Sequence, residues 1–243
     1  MKTLCIFLTA VALAAGSTGV ANAVNLLSNG ELDSPGPGLP ITSWTKDESK
    51  TFSGPTTDLI TLEPWIEIGP VTNGGGDNDL GGFVKAFQGN STTGDLATMH
   101  LYQDVAGAVG VQYVLTGWYG GGANYSGLQA GPTRTELAIE FDNDNNLGNG
   151  NLGSAILDVK AAGLTAGGCC DFGAQQFSVV SGAAPAGTAF VRARASMIDG
   201  YGTSGGDQAL FIDDFSLSEV PEPASVALGL MGMLALAGFV RKR

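Results

Sequence analysis

Glu136 and Glu140 are the first residues to weigh for catalysis, two carboxylates four positions apart in a stretch that alternates apolar and polar. Carboxyl pairs cleave glycosidic bonds when they stand roughly 5 or 10 Å apart. Four strand residues put these about 13 Å apart along the chain, so they read as one strand's solvated face. His100 is the only histidine. A histidine-rich zinc site is therefore excluded, and a Ser-His-Asp triad lacks a Gly-x-Ser-x-Gly elbow to support it. The run from Asp142 to Asn151 spaces oxygens like a calcium loop, but Leu147 stands where glycine is needed and Gly153 where the bidentate glutamate belongs. Turn-forming Asn and Asp explain it without an ion, and the same holds for Asp77-Asn78-Asp79. Cys169 and Cys170 are adjacent; a strained vicinal disulfide, an interchain pairing and two buried thiols all stay open. No catalytic residue is assigned.

Two binding chemistries remain. Trp118, Tyr119 and Tyr125 bracket the loop Gly120-Gly121-Gly122-Ala123-Asn124. Aromatic rings stack on the apolar faces of sugars, and glycines admit a ligand close to backbone. Tyr201 and Arg192 (or Arg194) would complete such a platform; core packing of Trp118 and Trp44 is the competing reading. Asp213 lies between Phe211 and Phe215. It points inward if those rings mark the core, and outward if Leu210 and Ile212 do. A buried carboxylate needs a partner or a metal ion, because its desolvation is costly.

Short strands must position these groups. Thr133–Asp142 alternates most cleanly, with Leu137, Ile139 and Phe141 on one face and Glu136, Ala138 and Glu140 on the other. Thr188–Met197 buries Val191, Ala193, Ala195 and Met197 and presents Arg192 and Arg194 opposite them. Thr98–Val105 alternates, Val111–Trp118 is apolar on both faces, and Gln208–Leu217 closes the series. A short apolar strand with a turn is expected over Asn25–Asp33, and strands at Leu59–Ile68, Phe83–Phe87, Leu152–Val159 and Phe177–Val180. With 38 glycines, low charge and no helical periodicity, about ten strands argue for an all-β, jelly-roll-type two-sheet sandwich.

Both chain ends are addresses. Lys2, an apolar segment and Ala21-Asn22-Ala23 form a signal peptide over residues 1–23, a signal helix cut after Ala23. Residues 24–219 make the domain. Residues 220–243 hold Pro221-Glu222-Pro223, an apolar run to Val240 broken only by Ser225, and Arg241-Lys242-Arg243. The run would reach about 25 Å as a transmembrane helix, with the basic end cytoplasmic. The formal charge of −12 becomes more negative once Lys2, Arg241, Lys242 and Arg243 are removed. Nucleic acid and anionic lipid are thereby poor partners, and divalent cations and neutral sugars better ones.

The tail resembles the PEP-CTERM sorting signal of Gram-negative bacteria. That resemblance implies cleavage near Pro221, Glu222 and Pro223 by an exosortase, with transient inner-membrane anchoring. Delivery to the cell surface, outer membrane or extracellular matrix would follow. Tails of this kind also carry an ice-binding label, but no Thr-x-Thr ladder supports ice binding here. Asn25-Leu-Leu-Ser-Asn-Gly-Glu-Leu-Asp33 and Leu210-Phe-Ile-Asp-Asp-Phe-Ser-Leu217 are similar to the opening and close of galactose-binding-like, carbohydrate-binding-module jelly rolls. Leu32 and Asp33 replace that family's usual Phe and Glu. The resemblance implies a structural calcium ion held by Asp33 and one of Asp213 or Asp214, with backbone carbonyls completing the shell. The expectation is a non-catalytic exported protein associating with exopolysaccharide in a biofilm matrix. A jelly-roll glycoside hydrolase or lyase, or a purely structural surface protein, is the alternative.

Overall fold

The computed structural model describes residues 24–34, 40–51, 58–63, 80–89, 95–163 and 174–221. Signal segment 1–23 with Ala23, Asp77–Asp79, Cys169, Cys170, Glu222, Pro223 and the rest of the tail lie outside the described residues.

Ten strands form two five-stranded antiparallel sheets. The first sheet joins β1 (Thr45–Lys50), β4 (Ala97–Ala106), β9 (Phe190–Gly200), β6 (Arg134–Asp142) and β7 (Asn151–Asp158), in that spatial order. The second joins β2 (Ile60–Glu63), β3 (Gly81–Lys85), β10 (Ala209–Glu219), β5 (Tyr113–Gly121) and β8 (Gln175–Val180). The inner faces meet in one core. Met99, Leu101, Leu137, Ile139, Val191, Ala195 and Met197 come from the first sheet, and Leu62, Val84, Leu115, Leu210, Ile212 and Leu217 from the second. Alternation along β6 and β9 sets these residues inward, as a period of two requires. Trp44 belongs to this core; its ring lies 5.5 Å from Phe215, and Phe177 lies 5.5 Å from Phe215 on another side.

The opening segment forms the expected turn but no strand. Asn29 and Leu32 adopt left-handed φ values of 51° and 57°, outside the extended region of a regular strand. The segment is instead fastened by side chains. Asn25 Nδ2 donates to Phe215 O (3.1 Å), and its Oδ1 accepts from Leu217 N (3.0 Å) and Leu27 N (3.1 Å). The amide of Gln103 exchanges two bonds with the backbone of Ser28, at 2.7 and 2.8 Å. Phe215 N donates to Gly30 O (2.8 Å), and a Cβ on Gly30 would stand 2.2 Å from Phe215 O. That contact requires glycine.

β1 is a strand that sequence alternation does not mark, because Thr-Lys-Asp-Glu-Ser-Lys has no apolar residue. It is an edge strand, held by full pairing with β4 from Thr45↔Tyr102 to Lys50↔Ala97.

β10 changes phase midway. Its pairing with β5 shifts between Asp213 and Ser216, and Asp214 sits at φ 52°. Such a bulge inserts one residue and re-aims those that follow. Phe211 therefore packs on the outer side of its sheet, while Phe215 enters the core.

Candidate carbohydrate-binding face

The outer faces of the two sheets differ in chemistry. On the first, cross-strand register sets charged and polar residues side by side: Asp104, Arg192 and Glu140 in one row, Asp47, His100, Ser196 and Glu136 in another. Arg192 is 1% exposed and gives Asp104 a two-pronged pair at 2.7 and 3.0 Å, with its guanidinium 4.4 Å from the Tyr102 ring centroid. Arg194 Nη2 reaches Glu136 at 3.1 Å and Glu140 at 2.8 Å. The two glutamate oxygens are thus within about 6 Å of each other, not the wider spacing that strand rise alone suggests. Both glutamates are buried, which corrects the reading of a solvated face. The space between them holds the Arg194 guanidinium, which bonds an oxygen of each.

His100 Nδ1 lies 2.7 Å from Ser196 Oγ, which also accepts a bond from Arg194 Nη1. Burial, then the Arg194 cation, pushes the imidazole below its ordinary pKa, so it is neutral at pH 7. Ser196 is fully buried, so no acyl carbon reaches its oxygen. The centre of this face is a floor of paired charges, Arg192 with Asp104 and Arg194 with Glu136 and Glu140. Asp142 is the exception at its margin: Oδ2 has no hydrogen-bond partner.

The proposed sugar platform is not brought together. Tyr119 and Tyr125 are fully buried; their hydroxyls meet Gln175 Oε1 (3.1 Å) and Thr135 Oγ1 (2.8 Å), and burial raises both phenol pKa values. Neither presents a ring face to a ligand. Arg192 lies on the first sheet's outer face and Trp118 on the second's, so they face away from each other. Tyr201 is half-buried near Ala130, bonding its carbonyl at 3.4 Å. The glycines beside Trp118 serve internal packing: a Cβ on Gly122 would stand 2.2 Å from Asp207 O. Arg192, Tyr119 and Tyr125 are therefore structural.

Trp118 does remain at a surface. It is half-buried on the second sheet's outer face, in register with Gln176 of β8 and Asp213 of β10. Beside it Phe211 stacks on Phe83 (centroids 5.7 Å, 17° between planes), and Phe83 lies 6.0 Å from Phe87, which is 44% exposed. Lys85 Nζ sits 5.9 Å from the Phe83 centroid. The result is an aromatic strip edged by the Gln176 amide and the Lys85 ammonium. Phe83, Phe211 and Gln176 were not marked in sequence, because only register places them beside Trp118.

Asp33 and Asp213 occupy different settings. Asp33 is half-buried with Oδ1 accepting from Leu80 N (2.9 Å); Asp213 is 2% exposed with Oδ1 accepting from Asp214 N (2.8 Å). Among the described residues no three acidic, histidine or cysteine side chains gather as an ion shell. Any calcium at Asp33, Asp213 or Asp214 would draw most of its oxygens from backbone carbonyls.

No curated protein is detectably similar to the chain in sequence. Solved structures share its fold at low identity. An apo-form cyclase from Fischerella sp. is 15% identical with a TM-score of 0.52, over 83% of this chain and 98% of that one. The Stig cyclase Fisc from Fischerella sp. TAU, bound to an indole compound, is 13% identical with a TM-score of 0.51, over 82% and 99%. TmCBM61 in complex with β-1,4-galactotriose is 14% identical with a TM-score of 0.44, over 82% and 100%. The family described as PEP-CTERM protein-sorting motif matches residues 219–243. The chain is a two-sheet β-sandwich that carries a PEP-CTERM sorting motif at its C-terminus.

Proposed function

We propose that the chain is an exported, non-catalytic surface or matrix protein that reaches its site through exosortase processing and there binds a neutral polysaccharide. The sorting motif supports the export, and the pair Trp118 and Gln176 on an outer sheet face, beside Phe211 and Phe83, carries the binding. An indole offers a flat apolar surface to the axial hydrogens of a pyranose, while the exposed Gln176 amide accepts and donates at its hydroxyls. The acidic charge of the chain disfavours uronate polymers and leaves neutral glycans as the ligand class. Guanidinium packing between Glu136 and Glu140 supports a binding role over hydrolysis.

Among the described residues no helix is long and apolar enough to cross a membrane. Transient anchoring by the tail is part of the proposal. Calcium bound by Asp33 with Asp213 or Asp214 is carried with it as a structural ion.

Affinity electrophoresis through gels containing neutral or uronate polysaccharide tests the binding. Retardation by a neutral glycan is expected, abolished by Trp118→Ala and weakened by Gln176→Ala at unchanged melting temperature. Equal retardation of Trp118→Ala and the parent would reject the platform.

A further inference from the structure

The sorting motif begins where the sandwich ends, without a linker. β10 pairs through Glu219↔Tyr113, and Val220 N still donates to Gln112 O at 2.8 Å. Four residue steps then lead to Ala224, where the apolar run starts. Fully extended, those steps span at most about 14 Å. Whatever the apolar run enters is therefore within that distance of one end of the sandwich.

That end has an unusual surface for so acidic a chain. It is built from segments 107–112 and 181–189, Gly-Ala-Val-Gly-Val-Gln and Ser-Gly-Ala-Ala-Pro-Ala-Gly-Thr-Ala, neither containing a charged residue. The two are laced together: Gly110 N donates to Ala184 O, and Ala184 N to Val111 O, both at 2.8 Å, while Ser181 N meets Tyr113 O at 2.9 Å. Thr188 Oγ1 donates to Pro185 O at 2.8 Å. On this platform Val109 is 57% exposed and Val180 58%, and Leu152 (36%) lies beside Gly187. Asp142 is buried at this end, its carbonyl accepting from Ala189 N at 2.9 Å, and Asp144 and Glu219 stand at its margin. The opposite end carries Arg134, Lys160, Asp199 and Asp207.

We propose that this uncharged end is a membrane-facing surface, resting on the headgroups of a bilayer while the tail is inserted. The inference rests on the reading that residues 224–240 enter a membrane. A short tether forces the apposition. Small uncharged residues lose little hydration on close approach, and exposed valines gain from the headgroup boundary. A ring of carboxylates at this end would meet an anionic leaflet with repulsion. The partner is the lipid surface itself.

The test uses the full chain expressed in a host without an exosortase and reconstituted into phosphatidylcholine vesicles. Flotation with the vesicles reports on the tail. Nitroxide labels at Val109→Cys and, at the far end, Gly206→Cys, each with Cys169→Ser and Cys170→Ser, report on the sandwich. The expected result is collision with a water-soluble nickel chelate at least about threefold lower at 109 than at 206, for a site at headgroup depth. Amide exchange on the chain with its native cysteines, slower at 107–112 and 181–189 in vesicles than in detergent, is the second measurement. Equal chelate access at both labels in floating vesicles overturns the docking surface and leaves the anchor standing. Failure to float overturns both.

Discussion

Replacing Asp142 with Asn should make the protein more stable at neutral pH. Asp142 is 1% exposed, Oδ2 lacks a hydrogen bond, and the nearest cation, Arg192 Nη1, stands 3.7 Å away. That guanidinium is already committed to Asp104. Burial above all, with Glu140, Asp104 and Asp144 adding to it against the pull of Arg192, raises the carboxyl from its ordinary 3.8 to about 6. Each pKa unit is about 1.4 kcal/mol, so the ionised form costs at most about 3 kcal/mol at pH 8. Asparagine has the shape of the neutral acid and escapes the charge penalty.

The sign follows from proton linkage. Between pH 3.8 and 6 the folded state holds this proton more tightly than the unfolded chain. The stability it contributes is full below that window and is lost as pH rises through it. Asp142→Asn should match the parent near pH 4 and exceed it by about 1–3 kcal/mol above pH 7, a rise in Tm of roughly 2–10 °C. Urea unfolding at half-unit steps from pH 4 to 8 reads this directly. A variant less stable than the parent at pH 8 would show that Arg192 attraction outweighs burial, and the reasoning would fail.

Arg194→Met leaves Glu136 and Glu140 buried without their shared cation and should cost about 3–5 kcal/mol in urea unfolding. Asn25→Ala removes two bonds that fasten the chain start to β10 and a third, local one from Leu27 N, and a loss of about 2–3 kcal/mol is expected by the same measurement. Calcium at a hundred times its dissociation constant should stabilise chelated protein by about 2.7 kcal/mol if Asp33 and Asp213 or Asp214 hold it. An unchanged melting curve would remove them as ligands and leave Asn25 to close the domain.

Much of the sandwich was legible in the sequence because inward positions repeat every second residue. Leu137, Ile139 and Phe141 on β6, and Val191, Ala193, Ala195 and Met197 on β9, lie where alternation sets them. β1 escaped because an all-polar edge strand has no inward face to announce it. The faces of Phe211 and Phe215 could not both be read, because the left-handed residue Asp214 shifts the phase between them. Alternation correctly put Glu136 and Arg194 away from the core. Whether such residues meet water or an opposite charge depends on cross-strand register, which no single strand encodes. The same limit applied to Trp118 and its neighbours Gln176 and Asp213, which are far apart in sequence.

The last strand also decides how the molecule bears load. β10 is bonded along one edge to β3 over Ala209–Ile212 and along the other to β5 as far as Glu219, and Leu26 N and Asn25 grip it near Leu217. A tug on the C-terminus acts along the strand, so these bonds are strained together in shear rather than peeled one at a time. Flow or drag transmitted through that terminus would load these bonds together.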